Sequence, residues 1–172
     1  AYVLSAIRVA WWKVYYPREY YAVYFSTRCD FFEIETLIKG KDAIMARRNE
    51  IMQLRQEHSA SNKDEGLWDV FEIALEMIER GYHFSPISLE YSQANKFILD
   101  PNDEKGLIPP FSAIDALGDA VASTVVEARK NGPFLSKEDV VKRTKLNNSH
   151  IKTLSKMGVF DGMQERNQLA LF

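Results

Sequence analysis

Apolar residues recur at helical spacing through residues 67–80 and define the clearest element of this sequence. The residues that share one helical face are Leu67, Val70, Phe71, Ala74, Leu75 and Ile78. Gly81 follows at the position where a residue of positive φ commonly ends a helix. A narrower apolar stripe predicts a second, charged helix over residues 34–59, and the polar segment 59–66 predicts a loop between the two.

The pattern changes after Gly81, where two short segments favour strands. Residues 82–89 and 96–100 are β-branched or aromatic in character, and we expect them to pair with each other. Residues 100–106 (DPNDEKG) have the composition of a loop. Helical spacing returns over residues 120–131, 136–143 and 149–157, whereas residues 161–172 show none. The expected fold class is therefore mainly α with a small β element.

The first segment, residues 1–14 (AYVLSAIRVAWWKV), predicts a helix that is apolar on nearly every side. Such a helix must be covered on several faces. We therefore expect that it has lost neighbours from a larger protein, although a native buried helix or an oligomer contact would give the same pattern. Pro17 opens a second helix over residues 18–27. The aromatic residues predicted as core are Tyr15, Tyr16, Tyr20, Tyr21, Tyr24 and Phe25.

Composition excludes several classes of protein. The chain has 172 residues, of which 46% are hydrophobic and 27% charged, and this is globular composition. The lone Cys29 excludes a disulfide scaffold, and the scattered His58, His83 and His150 argue against a metal site. No segment is suited to span a bilayer. We find no nucleophile with a base, no P-loop and no paired carboxylates in apolar surroundings, so neither catalytic residues nor a resident cofactor is expected.

Charge is segregated along the chain although the net charge is only −2. Residues 1–28 and 105–172 each carry a balance of +3, whereas residues 29–104 carry −8. The basic ends permit contact with nucleic acid, but a balance this small indicates it only weakly.

Residues 114–122 (IDALGDAVA), the first hairpin, have the helix-hairpin-helix pattern of a short helix, a turn and a longer helix. A tight turn of this kind exposes amides at a helix N-terminus, where the dipole favours a phosphate. The expected contacts are Leu117, Gly118, Asp119 and Ala120. Ala116 stands where the motif usually has its first glycine, and Asp119 adds an unfavourable negative charge. The alternative is a helical packing unit that binds nothing.

Residues 138–157, the second hairpin, repeat the design with a turn at residues 144–148. The expected contacts to phosphate are Lys142, Arg143, Lys145, Asn147, Asn148 and Ser149. Lys152 and Lys156 follow on the second helix, and His150 beside the turn is a further, weaker candidate. Two such units predict a compact domain with one hairpin for each strand of a duplex. A solvated basic face is the alternative for the lysines.

The last five residues (QLALF) form a short apolar motif. Leu171 and Phe172 would each contribute about 2–3 kcal/mol if fully enclosed. The expected contacts to a partner pocket are Gln168, Leu169, Ala170, Leu171 and Phe172. The alternative is that the tail packs on its own domain.

The first hairpin, the second hairpin and the apolar motif of the last five residues occur together in this order in one known family. The chain is similar to the C-terminal region of the PolC-type DNA polymerase III alpha subunit of Gram-positive bacteria. The stretches that carry the resemblance are residues 1–24, 74–84 (ALEMIERGYHF), 107–122 (LIPPFSAIDALGDAVA), 134–145 (FLSKEDVVKRTK) and 167–172 (NQLALF). Departures from the family pattern are Ala116 for glycine and Ala170 where serine is frequent.

The resemblance implies a division of the chain and a set of partners. Residues 1–28 would be the last helices of the fingers domain, 29–106 a duplex-binding region with a small β hairpin, 107–163 a tandem helix-hairpin-helix and 164–172 a clamp-binding tail. The partners would be double-stranded primer-template DNA, the sliding clamp (beta subunit) and the rest of the polymerase, in the bacterial cytoplasm and away from membranes.

The resemblance also implies a nucleotidyltransferase activity for the intact polymerase, which uses two Mg²⁺ ions. Its catalytic aspartates lie in a palm domain upstream of these residues, so this chain alone is expected to be inactive. Two other interpretations are open. One is a DNA-repair or structure-recognition module with the same hairpin pair, and the other is a scaffold whose tail binds a pocket unrelated to replication.

Overall fold

The computed structural model describes residues 1–28 and 31–166. Eight helices lie in this part of the chain: α1 Tyr2–Tyr15, α2 Pro17–Thr27, α3 Ile34–Ile38, α4 Lys41–Gln56, α5 Asn62–Glu79, α6 Asp119–Lys130, α7 Lys137–Arg143 and α8 Asn148–Lys156. The strands are β1 His83–Phe84, β2 Ile98–Leu99 and β3 Gly106–Ile108, and a 3₁₀ turn covers Phe111–Ala113. The predicted class, mainly α with a small β element, is confirmed. None of the described helices is long and apolar enough to cross a bilayer.

The region predicted as one helix over residues 34–59 is two helices, so that prediction is wrong. Gly40, at φ 87°, separates α3 from α4, because a residue in the left-handed region cannot continue a helix. The predicted loop 59–66 contains the first turn of α5. Ser61 caps it: its Oγ accepts from the Asp64 N–H at 3.2 Å, and the Asp64 carboxylate accepts from the Ser61 N–H at 3.1 Å. This reciprocal cap starts the helix within a polar segment.

Helices α4 and α5 pack against each other in opposite directions. Ile44 and Ile51 of α4 and Leu67, Phe71 and Met77 of α5 are fully buried. Ion pairs then join their flanks, from Lys41–Glu79 at one end through Arg48–Glu72 to Arg55–Glu65 at the other. Gly81, at φ 86°, follows α5 in the left-handed conformation predicted for it.

The sheet differs from the predicted hairpin, because β1 and β2 pair with β3 and not with each other. His83 is opposite Gly106 in the parallel pair, and Ile98 is opposite Ile108 in the antiparallel pair. Three residues are too short a strand to show a period, so the sequence predicts only the loop that ends at Gly106 and misses β3. A Cβ on Gly106 would lie 2.2 Å from the Ser85 Oγ, so the close approach of the strands requires glycine there.

The aromatic residues of α2 form the core, but those between α1 and α2 do not. Tyr21 and Phe25 are buried, and the Phe25 ring lies 5.1 Å from Phe84 and 5.6 Å from Phe97 between centroids. Tyr15 and Tyr16 are 65% and 44% exposed, so the prediction of core is wrong for these two.

Helix α1 has no buried residue. Its C-terminal end is held to α5 by Lys13, whose Nζ lies 2.6 Å from the Glu76 carboxylate, and by Arg80, which donates to the Lys13 carbonyl at 2.9 Å. Leu4, Trp11 and many of their neighbours are left exposed. Soluble monomers rarely carry an apolar surface of this extent.

Candidate nucleic-acid interface

The first hairpin is built by the 3₁₀ turn at Phe111–Ala113 and by α6. Its leading helical turn therefore precedes Ile114, which is extended at φ −81° and ψ 128°. The chain then reverses through Ala116 at φ 64°. This is the left-handed conformation that glycine adopts at little cost and that costs an alanine about 1–2 kcal/mol. Position 116 thus has a backbone suited to glycine, although alanine occupies it.

The amides of the first hairpin divide into two sets. Leu117 donates its N–H to the Ile114 carbonyl at 3.1 Å, and its side chain is buried, so the structure assigns Leu117 to the core and not to the phosphate-binding surface predicted for it. Gly118, Asp119 and Ala120 are exposed at the start of α6, where helix amides lack acceptors within the helix. A Cβ on Gly118 would meet nothing within 4 Å, so the protein's own packing does not require glycine at this position.

Both carboxylates of the first hairpin are held by residues from the acidic middle of the chain. Asn95 donates to the Asp119 carboxylate at 3.1 Å, and the Lys63 Nζ lies 3.4 Å from that of Asp115. A cleft of about 580 Å³ separates the hairpin from this region, and Lys63, Asn95 and Gly118 line it. Sequence reasoning missed Lys63 and Asn95, because only the fold brings them here.

The second hairpin repeats the helix start of the first 29 residues later, although its turn lacks the positive φ of Ala116. Asn147 occupies the N-cap position that Gly118 has in the first, and Leu146, like Leu117, is buried. The Asn147 Oδ1 accepts from the His150 N–H at 2.9 Å, so Asn147 caps α8. The next two residues, Asn148 and Ser149, are exposed at the start of α8. The repeat therefore presents two equivalent helix N-termini.

The predicted cations of the second hairpin have different surroundings. Lys142 is exposed and pairs with Glu138 at 2.6 Å. Lys145 is exposed, and its N–H donates to the Thr124 Oγ1 at 3.0 Å. Lys145, Lys152 and Lys156 have no ion pair with any residue in the described part of the chain, so their charges face solvent.

Arg143 is committed to the protein itself, in contrast to the phosphate contact predicted for it. Its guanidinium donates to the Gly132 carbonyl at 2.8 Å, to the Pro133 carbonyl at 3.0 Å and to the Ala128 carbonyl. It also pairs with Asp139 at 2.9 Å. Burial opposes ionisation of Asp139, but hydrogen bonds from Arg143 and from the Leu135 N–H hold the pKa of that carboxyl below its ordinary value. Arg143 thus fixes α7 to the end of α6.

His150 lies between the hairpins and is only 8% exposed. Its Nε2 is 3.2 Å from the Ala116 carbonyl of the first hairpin, and its Nδ1 is 3.3 Å from the Asn147 amide of the second. The weaker prediction that His150 contacts a phosphate is therefore at odds with its interior position.

The structure does not reach the tail: Gln168, Leu169, Ala170, Leu171 and Phe172 lie outside the described residues. Close to it, the chain runs beside the start of α7. Lys137 and Glu138 donate their N–H groups to the Gln164 and Glu165 carbonyls at 2.9 and 3.1 Å.

A Mg²⁺ site of the kind implied by the family resemblance does not fit the residues that the structure describes. No group of three or more His, Cys, Asp or Glu side chains among them could hold a metal ion.

Comparison with known proteins agrees with the hairpin geometry. The model of the helix-hairpin-helix motif matches residues 81–169. DNA polymerase III PolC-type of Listeria monocytogenes is 44% identical over all 172 residues, that of Oceanobacillus iheyensis 45% and that of Clostridium perfringens 43%. The chain spans 12% of the length of each relative. The resemblance to PolC-type polymerases is confirmed, and the chain belongs to the helix-hairpin-helix motif family.

Proposed function

We propose that this chain is the part of a PolC-type DNA polymerase III that grips primer-template duplex through its phosphate backbone. The observation that carries the proposal is the pair of exposed helix N-termini, at Gly118–Ala120 and at Asn147–Ser149, repeated 29 residues apart. The helix-hairpin-helix match and the polymerase relatives support it.

The contacts would be made by backbone amides and by a few lysines. The amides of Asp119, Ala120, Asn148 and Ser149 would donate to phosphate oxygens, and the helix dipoles would add to the attraction. Lys142 and Lys145 would bring positive charge to the second hairpin. Contacts of this kind position a protein on a duplex without selecting a base sequence, as a replicative polymerase requires.

The tail at residues 168–172 would dock into an apolar pocket of the sliding clamp. A duplex contact and a clamp contact in one chain hold far better than either alone, because binding at one site raises the effective concentration at the other. The protein would act in the bacterial cytoplasm, at the replicating nucleoid.

Catalysis would belong to other parts of the polymerase. Nucleotidyl transfer with Mg²⁺ needs clustered carboxylates, and the described residues do not supply them. We expect the isolated chain to incorporate no nucleotide with any metal ion. The apolar surface of α1 would pack against the remaining polymerase.

The first experiment is a titration of the 172-residue chain against primer-template duplex and, separately, against the bacterial sliding clamp. Duplex binding that weakens steeply with salt, and clamp binding that disappears when residues 168–172 are deleted, would support the proposal. The deletion should leave duplex affinity unchanged. Equal loss of both would refute separate roles for hairpins and tail, and duplex binding without any clamp binding would favour a DNA-repair module.

A further inference from the structure

One buried side chain joins the turns of the two hairpins. His150, the third residue of α8, has a ring nitrogen within hydrogen-bond distance of each turn. A neutral imidazole has one donor and one acceptor nitrogen. Because Nδ1 accepts the Asn147 N–H, Nε2 carries the proton and donates to the Ala116 carbonyl. The hydrogen-bond pattern thus assigns this tautomer.

The atoms that His150 joins lie next to the exposed amides. The Ala116 carbonyl is two residues before Gly118, and Asn147 is the residue immediately before Asn148. Two other contacts join the second hairpin to α6: the Lys145 N–H donates to the Thr124 Oγ1 in the middle of that helix, and Arg143 donates to the Ala128 carbonyl near its end. Of these contacts, that of His150 is the one made directly between the two turns.

We propose that His150 is a positioning residue that sets the spacing of the two hairpins, so that both engage one duplex together. The proposal rests on the proposed function. Phosphates of a duplex lie at fixed spacings, so the second hairpin gains from the first only if the two turns are held at a matching distance. Without the His150 link, the first hairpin would move relative to α8 and would cease to contribute.

The test is a pair of amide substitutions that differ in reach. In His150→Asn, the side-chain oxygen lies where Nδ1 lies and can still accept the Asn147 N–H, but the side chain is too short to reach Ala116. In His150→Gln, the amide nitrogen lies near the position of Nε2 and can still donate to the Ala116 carbonyl. Each is combined with Gly118→Ala, which blocks close approach of a phosphate to the first hairpin.

The readouts are duplex affinity of the 172-residue chain and the midpoint of thermal unfolding. A hydrogen bond to a charged group contributes about 1.5–3 kcal/mol, so losing the first hairpin should weaken binding at least tenfold or so. We expect this loss for H150N, with no further loss when G118A is added. H150Q should bind within about twofold of the parent chain and remain fully sensitive to G118A.

Two results would overturn the proposal. One is an equal loss of affinity in H150N and H150Q. The other is a loss from G118A that simply adds to that of H150N, as it would if His150 only stabilised the fold. Should H150N fail to fold, H150Q carries the test. It should bind duplex within about twofold of the parent chain and lose affinity when G118A is added, and a weakened H150Q that is insensitive to G118A would overturn the proposal. A parent chain that does not bind duplex refutes the proposed function itself.

Discussion

The two hairpins each begin a helix with exposed residues, but they differ in the conformation of the turn and in the chemistry around it. The second supplies its own charge, from Lys142 and Lys145, and its own cap, from Asn147. The first carries Asp115 and Asp119, whose partners, the cation of Lys63 and the uncharged amide of Asn95, come from segments that are distant in sequence. The same helix start can therefore occur with positive charge from its own segment or from the surrounding fold.

The largest expected effect distinguishes Arg143, which is bonded within the protein, from the solvent-facing lysines of the second hairpin. Arg143→Met removes hydrogen bonds to three carbonyls and the pair with Asp139, and it should lower the free energy of unfolding by about 2–3 kcal/mol. Lys145→Ala should leave the free energy of unfolding nearly unchanged. Denaturant unfolding measures both, and equal stabilities would contradict the internal role of Arg143.

Acid provides a second measure of the same contact. Because the pKa of Asp139 is lowered in the folded state, its carboxylate contributes stability that is fully present above the unfolded value of about 4. That stability is lost as the pH falls through the folded value. Unfolding measured between pH 6 and pH 3 should show a shallower loss in R143M than in the parent chain.

The next effect concerns close approach to the first hairpin. Gly118 has φ −71°, and a Cβ there would contact no protein atom within 4 Å, so Gly118→Ala should change the free energy of unfolding little, because the stiffer unfolded chain offsets the poorer N-cap preference of alanine. Duplex affinity should fall about tenfold, because the methyl group holds the phosphate away from the amides. Asn147→Ala, at the matching position, should instead cost about 1 kcal/mol of stability through the lost cap. An unchanged affinity in G118A would place the phosphate elsewhere.

A smaller effect tests the charge that the fold brings to the first hairpin. If Lys63 faces the bound phosphate, Lys63→Ala should reduce the slope of log affinity against log salt by about 1. The matched control is Lys41→Ala. Lys41 lies in the first turn of α4 and pairs with Glu79, which is at the C-terminal end of α5, roughly 24 Å along that helix from Lys63. The slope for K41A should stay at the parent value. Equal slopes in the two variants would show that Lys63 does not contact a phosphate of the duplex.

The smallest effect concerns the turn itself. Ala116→Gly relieves the left-handed strain and should raise the free energy of unfolding by about 0.5–1 kcal/mol, since the gain exceeds the added flexibility of the unfolded chain. Lys145, at the matching position 29 residues on, does not have a positive φ, so Lys145→Gly should destabilise the chain. Thermal unfolding of A116G and of K145G distinguishes the two turns, and a destabilised A116G would contradict a strained backbone at Ala116.

The accuracy of the sequence-based predictions depended on the distance over which each feature is determined. The last helix, predicted over residues 149–157, follows from signals within a few residues, and the structure has it at Asn148–Lys156. Strand β3 and the carbonyl contacts of Arg143 depend on partners distant in sequence, and neither was predicted. For Arg143, its basic character beside the turn indicated a phosphate contact, whereas the carbonyls at the end of α6 give it an internal role. Gly40 and the Ser61–Asp64 cap are local features, yet neither the break before α4 nor the early start of α5 was predicted.

The hydrogen bonds between residues 164–165 and the start of α7 limit how far from α7 the following residues can extend. Glu165 is hydrogen-bonded to the backbone of Glu138 at the start of α7, and Gln168 is three residues further on. A fully extended chain advances about 3.5 Å per residue, so three residues span at most about 10 Å from that anchor. A clamp held by the proposed tail would therefore stand beside the second hairpin, and its orientation relative to a bound duplex would be limited by the length of this tether.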